Sequence, residues 1–248
     1  GRSFAHMGDA ELDEGSIWET VTEPAIQGLD RCTWIVDLNR QSLDRVVPGI
    51  RVARFMEMFR VNGWNVVVAK YGEQLTELME LPGGEALRSR IDDMPNQEYQ
   101  AMLVASPSEV RARLLETTRA QRGDIERCVS DFDDEELHRR IAGLGGHDVG
   151  TLARCYEEAS RADGPSVVFA YTVKGWGLPI AADPANHSAL VTQEQYEELA
   201  DHFGVAPDFP WDKFPDGSDE SIYLSQAAQR LNATPIPEEP PLSFNDTD

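Results

Sequence analysis

The feature that most constrains this chain is a recurring alternation. Short apolar runs end in polar turns, and each is followed by a longer stretch with apolar residues at helical spacing. Cys32-Thr-Trp-Ile-Val-Asp-Leu38 and Ser166-Val-Val-Phe-Ala-Tyr-Thr172 are the clearest runs; Ser3 to Met7 and Asn65 to Lys70 are shorter ones. Such runs, bounded by turn residues, suit strands buried on both faces. Strand, helix, strand is the parallel βαβ unit, so the sequence predicts an α/β fold with a parallel sheet flanked by helices.

Between the first two strands, Leu12, Ile17, Trp18, Val21, Ala25 and Ile26 recur at roughly helical spacing over Glu11 to Gln27, with Pro24 at a kink or break and Gly28 as a stop. Helices are also predicted near residues 52–62, 73–81 and 193–203. A helical stretch running irregularly over 96–162 is broken at Pro107, Gly123 and Gly143-Leu-Gly-Gly146. After Val205, seven prolines punctuate polar, acidic sequence whose strong helical piece is Ser221 to Leu231. The chain thus reads as an α/β domain over 1–205 and a Pro-rich acidic tail or interdomain linker over 206–248. Ser3 to Met7 reads like the inside of a domain, so the α/β domain is expected to be incomplete at its N-terminus.

Acidic residues number 44 against 22 basic ones, a formal charge of −22 over 248 residues. That balance repels phosphate backbones and anionic membranes and argues against nucleic-acid partners. Cys32, Cys128 and Cys155 lie far apart with no zinc-type spacing, which argues against a zinc site or a disulfide framework and fits a reducing cytoplasm. There is no apolar run long enough for a membrane-spanning helix, and Gly1 to Met7 has no signal pattern.

Gly8-Asp9-Ala10 closes the first strand, and a helix predicted from Glu11 would offer backbone N–H groups and a positive end to a phosphate. A carboxylate at that place makes sense where a divalent cation bridges it to a diphosphate. The next strand ends at Asp37-Leu38-Asn39, so adjacent parallel strands would bring Asp9 and Asn39 to one carboxyl edge, where open α/β sheets bind ligands. Asn39 offers an amide oxygen, and the turn at Arg40-Gln41 a main-chain carbonyl.

Gly8-Asp9-Ala10 followed after 26 residues by Asp37-Leu38-Asn39 resembles the thiamine-diphosphate signature. The resemblance continues through Glu11-Leu-Asp-Glu14, Leu43-Asp44, Gly63-Trp-Asn-Val66, Gly145-Gly-His-Asp148 and Tyr171-Thr-Val-Lys-Gly-Trp-Gly177, covering most of residues 3–225. Together these resemble the homodimeric pyruvate dehydrogenases of the transketolase superfamily, which feed a lipoyl acetyltransferase. Ala10, where the signature has glycine, is a departure that leaves the N–H in place.

The resemblance implies thiamine diphosphate and Mg2+ as cofactors, in the second part of a diphosphate-binding domain. Asp9, Asn39 and the Gln41 carbonyl resemble the magnesium ligands; Gly8, Ala10 and Glu11 resemble the diphosphate lining. Lys174 resembles a lysine near the cofactor's phosphate and the substrate, in both binding and catalytic roles. His187, in Asn186-His-Ser188, is similar to a histidine that handles protons and the acyl acceptor. Asp13 and Glu14 read either as helix-start charges or as interface residues, and His147 as the cap of a helix beginning near Asp148. His6, His138 and His202 receive no role.

The implied activity is decarboxylation of pyruvate with acetyl transfer to a lipoyl group. Transketolase-like two-carbon transfer is the alternative, disfavoured because no second histidine followed by glycine comes after Asn186 to Leu190. A non-catalytic α/β scaffold, with Ala10 as its first sign of decay, is a third reading. Family members take the activating glutamate from a pyrimidine-binding domain in a neighbouring subunit. The expected partners are therefore that domain, on the same or a second chain, in a dimer or hetero-oligomer, with a lipoyl acetyltransferase beyond it.

Overall fold

In a computed structural model the protein is described at residues 2–39, 41–42, 45–46, 50–181, 183, 186, 188–206 and 211–231. The chain divides into two compact units, Gly1–Val191 and Thr192–Asp248. The first contains a four-stranded sheet of β1 (Ser3–Gly8), β2 (Cys32–Leu38), β5 (Asn65–Ala69) and β6 (Ser166–Tyr171), in the spatial order β1-β2-β6-β5. Every pairing in it is parallel. A two-stranded ribbon, β3 (Gln41–Ser42) with β4 (Arg45–Val46), follows β2. This is the α/β architecture that the apolar runs predict.

One face of the sheet is closed by α1 (Gly15–Thr22) and α2 (Ile50–Val61). Period-two alternation sends Met7, Trp34, Val36, Val167 and Phe169 to this face, where they join Phe59 and Trp64 in one core. Phe59 is fully buried, its ring 5.3 to 6.1 Å from those of Trp18, Trp34, Trp64 and Phe169. The polar edges of the indoles are satisfied: Trp18 donates to the Leu12 carbonyl at 2.8 Å and Trp64 to that of Val21 at 3.1 Å.

The opposite face carries α9 (Val149–Ser160), which packs on β5 and β6 through Cys155 and Ala159 against Val67, Ala69 and Val168. Over β1 and β2 this face is open, with Phe4 58% exposed and touching the ring of Tyr156 edge-on. A third core lies among α3 (Glu73–Glu80), α4 (Gly84–Asp93), α5 (Asn96–Leu103), α6 (Pro107–Leu114), α7 (Arg119–Val129) and α8 (Asp134–Ile141).

Several elements differ from those the sequence predicts. The single helix expected from Glu11 to Gln27 is three pieces: a 3-10 turn at Asp9–Asp13, α1, and a second 3-10 turn at Pro24–Gly28. Glu14 and Glu23 are extended at the two breaks, the second because the ring of the following Pro24 disfavours a helical conformation there. Pro107 opens α6 as its first residue, as a proline at a helix start should. Gly123, expected as a break, lies inside α7, where nothing stands within 4 Å of the place a side chain would occupy. Helix α4 is additional to the predicted set.

The second unit contains α10 (Gln193–His202) and α11 (Asp219–Leu231). Thr192 and Gln195 cap α10 reciprocally, with bonds of 3.0 and 3.2 Å. Among the described residues, no helix is long and apolar enough to cross a membrane.

Candidate functional site

The parallel register determines what meets at the carboxyl edge. Gly8 pairs with Asp37, and Leu38 with Tyr171, so the turns after β1, β2 and β6 leave the sheet side by side. Asp9 and Asn39 therefore follow neighbouring strand ends, and Lys174 follows the third. The oxygen donors available there, a carboxylate at Asp9 and an amide at Asn39, suit a hard divalent cation. Among the described residues no group of three His, Cys, Asp or Glu side chains forms a metal cluster, so any cation here would depend on amide, main-chain or ligand oxygens. Gln41 opens the β3–β4 ribbon, and Leu43, Asp44 and His187 lie outside the described residues.

The helix-end argument for the first turn does not hold. Asp9–Asp13 is a five-residue 3-10 turn rather than the start of an α-helix, so it lacks the aligned peptides behind a helix dipole. Its opening amide is also engaged, since the Gly8 N–H donates to Glu11 Oε1 at 3.3 Å. Glu11 closes this turn, and Leu12 is fully buried beneath it.

Asn39 and Lys174 line one cleft of about 510 Å3, together with Asp37, His147 and Trp176. That is the size of a pocket for a small organic ligand. His6 and Ile35 extend the cleft along the open face of β1 and β2, towards Tyr156. The Asp37 carboxylate accepts from the Thr172 hydroxyl, and the Thr172 N–H donates to the Leu38 carbonyl at 3.2 Å, which ties the ends of β2 and β6 together. From behind, the buried Gln100 amide donates to the Asn39 carbonyl at 3.3 Å.

His147 stands in this cleft and is not a helix cap. Asp148 caps α9 instead, accepting from the Thr151 N–H at 2.7 Å. His147 accepts the Val173 N–H on its Nε2 at 2.8 Å and stacks on Trp176, with centroids 4.5 Å apart and planes at 11°. Burial pushes its imidazole pKa down from the ordinary range, with the Asp37 charge working partly against that. The Gly145-Gly146 pair makes this approach feasible. A side chain at Gly145 would collide with the Ala69 main chain, and one at Gly146 with that of Tyr171. Those two glycines before a histidine are the sequence signal that could have marked His147 as a site residue.

Pyruvate dehydrogenase E1 components match the chain in sequence. The one from Cupriavidus necator is 28% identical over 240 residues, 92% of this chain and 26% of its own length. That of Escherichia coli is 26% identical over the same shares of each chain. The chain is a relative of pyruvate dehydrogenase E1 components. An E1 component from Mycobacterium tuberculosis reaches 30% identity over 178 residues, 71% of this chain and 18% of its own length. The E1-like chain spans about a quarter of the length of the curated relatives it matches over most of its own. No protein-family model matches it. Among solved structures, a Pichia stipitis transketolase shares the fold, with a TM-score of 0.50 at 14% identity, over 93% of this chain and 24% of the other.

Proposed function

We propose that the chain is the second part of the diphosphate-binding domain of a thiamine-diphosphate-dependent 2-oxo acid dehydrogenase. In this reading it decarboxylates pyruvate and passes the acetyl group to a lipoyl acceptor, as an assembly with further domains. The observation that carries the reading is the register of β1 on β2: Gly8 opposite Asp37 brings Asp9 and Asn39 to adjacent strand ends, in a chain related to E1 components. Asp9, Asn39 and the Gln41 carbonyl would hold Mg2+, and Gly8, Ala10 and Glu11 would line the diphosphate. When bound, thiamine diphosphate supplies the carbanion and electron sink that the chemistry needs.

The chain's own residues have more modest tasks. Asn39 presents a neutral oxygen from a main chain anchored by Gln100. Lys174 brings a cation to the same cleft, for anionic oxygens of cofactor or substrate. His187 is proposed to handle the proton and the acyl acceptor. The domain boundary near residue 205, the cytoplasmic location, the dimeric state, the pyrimidine-domain partner and the lipoyl acetyltransferase belong to the same reading and rest on the family resemblance.

Calorimetric titration of thiamine diphosphate into the complete assembly, with and without magnesium, tests it. Magnesium-dependent binding that Asp9→Ala abolishes is expected. No binding by the wild-type assembly overturns the reading in favour of an α/β scaffold. The chain alone is expected not to turn over pyruvate.

A further inference from the structure

Lys174 follows β6 at the start of a tight loop. Gly175 and Gly177 are both left-handed, with φ of 72° and 80°, and successive short-range bonds run from Trp176 to Val173 and from Leu178 to Gly175. A lysine side chain has four rotatable carbons, so the place its ammonium can reach is set by the main chain that carries it. Two side chains distant in sequence grip that main chain, one on each side.

On one side, His147 Nε2 accepts the Val173 N–H at 2.8 Å. Its partner is a donor, so Nε2 carries no proton and the neutral ring keeps its proton on Nδ1. On the other side, Asn186 Nδ2 donates to the Lys174 carbonyl at 2.8 Å and to the Ile180 carbonyl at 3.3 Å. Both of these partners are acceptors, so only the NH2 end of the amide can face them. Asn186 is buried, and Trp176 stacks on His147 from within the same loop. The contacts join three separate segments: the Gly-Gly-His turn, the end of β6, and the far end of the Lys174 loop.

We propose that His147 and Asn186 are positioning residues that fix the main chain on both sides of Lys174, holding its ammonium in the cleft for an anionic oxygen of a diphosphate. The proposal rests on the cofactor reading for its ligand and on the ligand-free chain for its geometry, so the two can fail separately.

The geometry is tested on the full chain without ligand. Imidazole 15N spectra should give His147 a bare Nε2 and a protonated Nδ1. Amide exchange at Val173 should rise at least about fivefold in His147→Phe, which keeps the stack on Trp176 and loses the acceptor, and fall back in His147→Gln, which restores one. The opposite tautomer, or unchanged exchange in His147→Phe, overturns the clamp.

The purpose is tested by titrating thiamine diphosphate with magnesium into the complete assembly. His147→Phe and Asn186→Asp should each weaken binding about five- to tenfold, and should add little in a Lys174→Ala background. Equal losses with and without Lys174 would assign both residues a merely structural role and overturn the proposal. Absence of binding by the wild-type assembly would overturn the cofactor reading, leaving exchange to decide the clamp.

Discussion

The two faces of the central sheet are built from the same four strands and reach different degrees of completion. On the face covered by α1 and α2, tryptophans and phenylalanines interlock around Phe59 in a closed aromatic core. On the other, α9 packs on β5 and β6, while β1 leaves Phe4 exposed and β1 with β2 presents His6 and Ile35 to the cleft. Parallel sheets are ordinarily covered on both sides. The closed face therefore supplies stability, and the half-open one borders the cleft beside the carboxyl edge.

Substitutions on the two faces should separate them. Phe59→Ala removes the centre of the aromatic core and should lower stability by about 3–5 kcal/mol, read as a shift in urea midpoint. Gly146→Ala drives a methyl into the Tyr171 main chain and should cost about 1–3 kcal/mol, while displacing His147 from Val173. Asp148→Ala removes the cap of α9, which packs on the second face, and should cost about 1 kcal/mol by the same assay.

A pH series adds a weaker effect from the open side. Burial holds the folded His147 pKa below its unfolded value near 6.5, so the unfolded chain takes up the proton first as pH falls. Its contribution to stability is complete above about pH 6.5 and declines below it; His147→Phe should flatten that part of the profile. Phe4→Ala should be nearly silent, within about 0.5 kcal/mol. A loss at Phe4 as large as that at Phe59 would mean that the second face is covered in solution, and the contrast between faces would collapse.

Strands were the legible part of the sequence, because Cys32–Leu38 and Ser166–Tyr171 are continuous apolar runs; the expected burial on both sides is met by β6, whereas β2 leaves Ile35 partly exposed on the open face. Their spacing also led to the juxtaposition of Asp9 and Asn39, since a βαβ unit returns the chain to the same edge. The helical layer was harder to read. Its α4 begins at a Gly83-Gly84 pair, and its fully or nearly buried apolar residues are Leu87 and Ile91 among charged neighbours, too sparse a stripe to stand out. The 3-10 turn after Gly8 is hidden in the sequence because Leu12 fits a helical pattern, whereas its burial comes from joining Met7, Val21 and Val36 in the core of the closed face.

The place of His147 is hidden in the sequence for a related reason. The residue before a helix looks like a cap, and only the structure has Asp148 doing that work while the imidazole turns back to Val173. Long-range contacts of this kind leave no periodicity behind them.

Strand β6 is the last of the four in the chain and lies between β2 and β5. During synthesis, β2 can find β1 at once, but β5 must wait for a strand about a hundred residues downstream before it has a partner in the sheet. A growing polypeptide would thus carry Val66, Val67 and Val68 without a sheet partner while about a hundred further residues are made, and closure of so long a loop is slow. Helix α9, made within that interval, packs on β5 through Cys155 and Ala159 and can shield Val67 before β6 arrives, which gives this helix a part in delivery of the fold as well as in its packing.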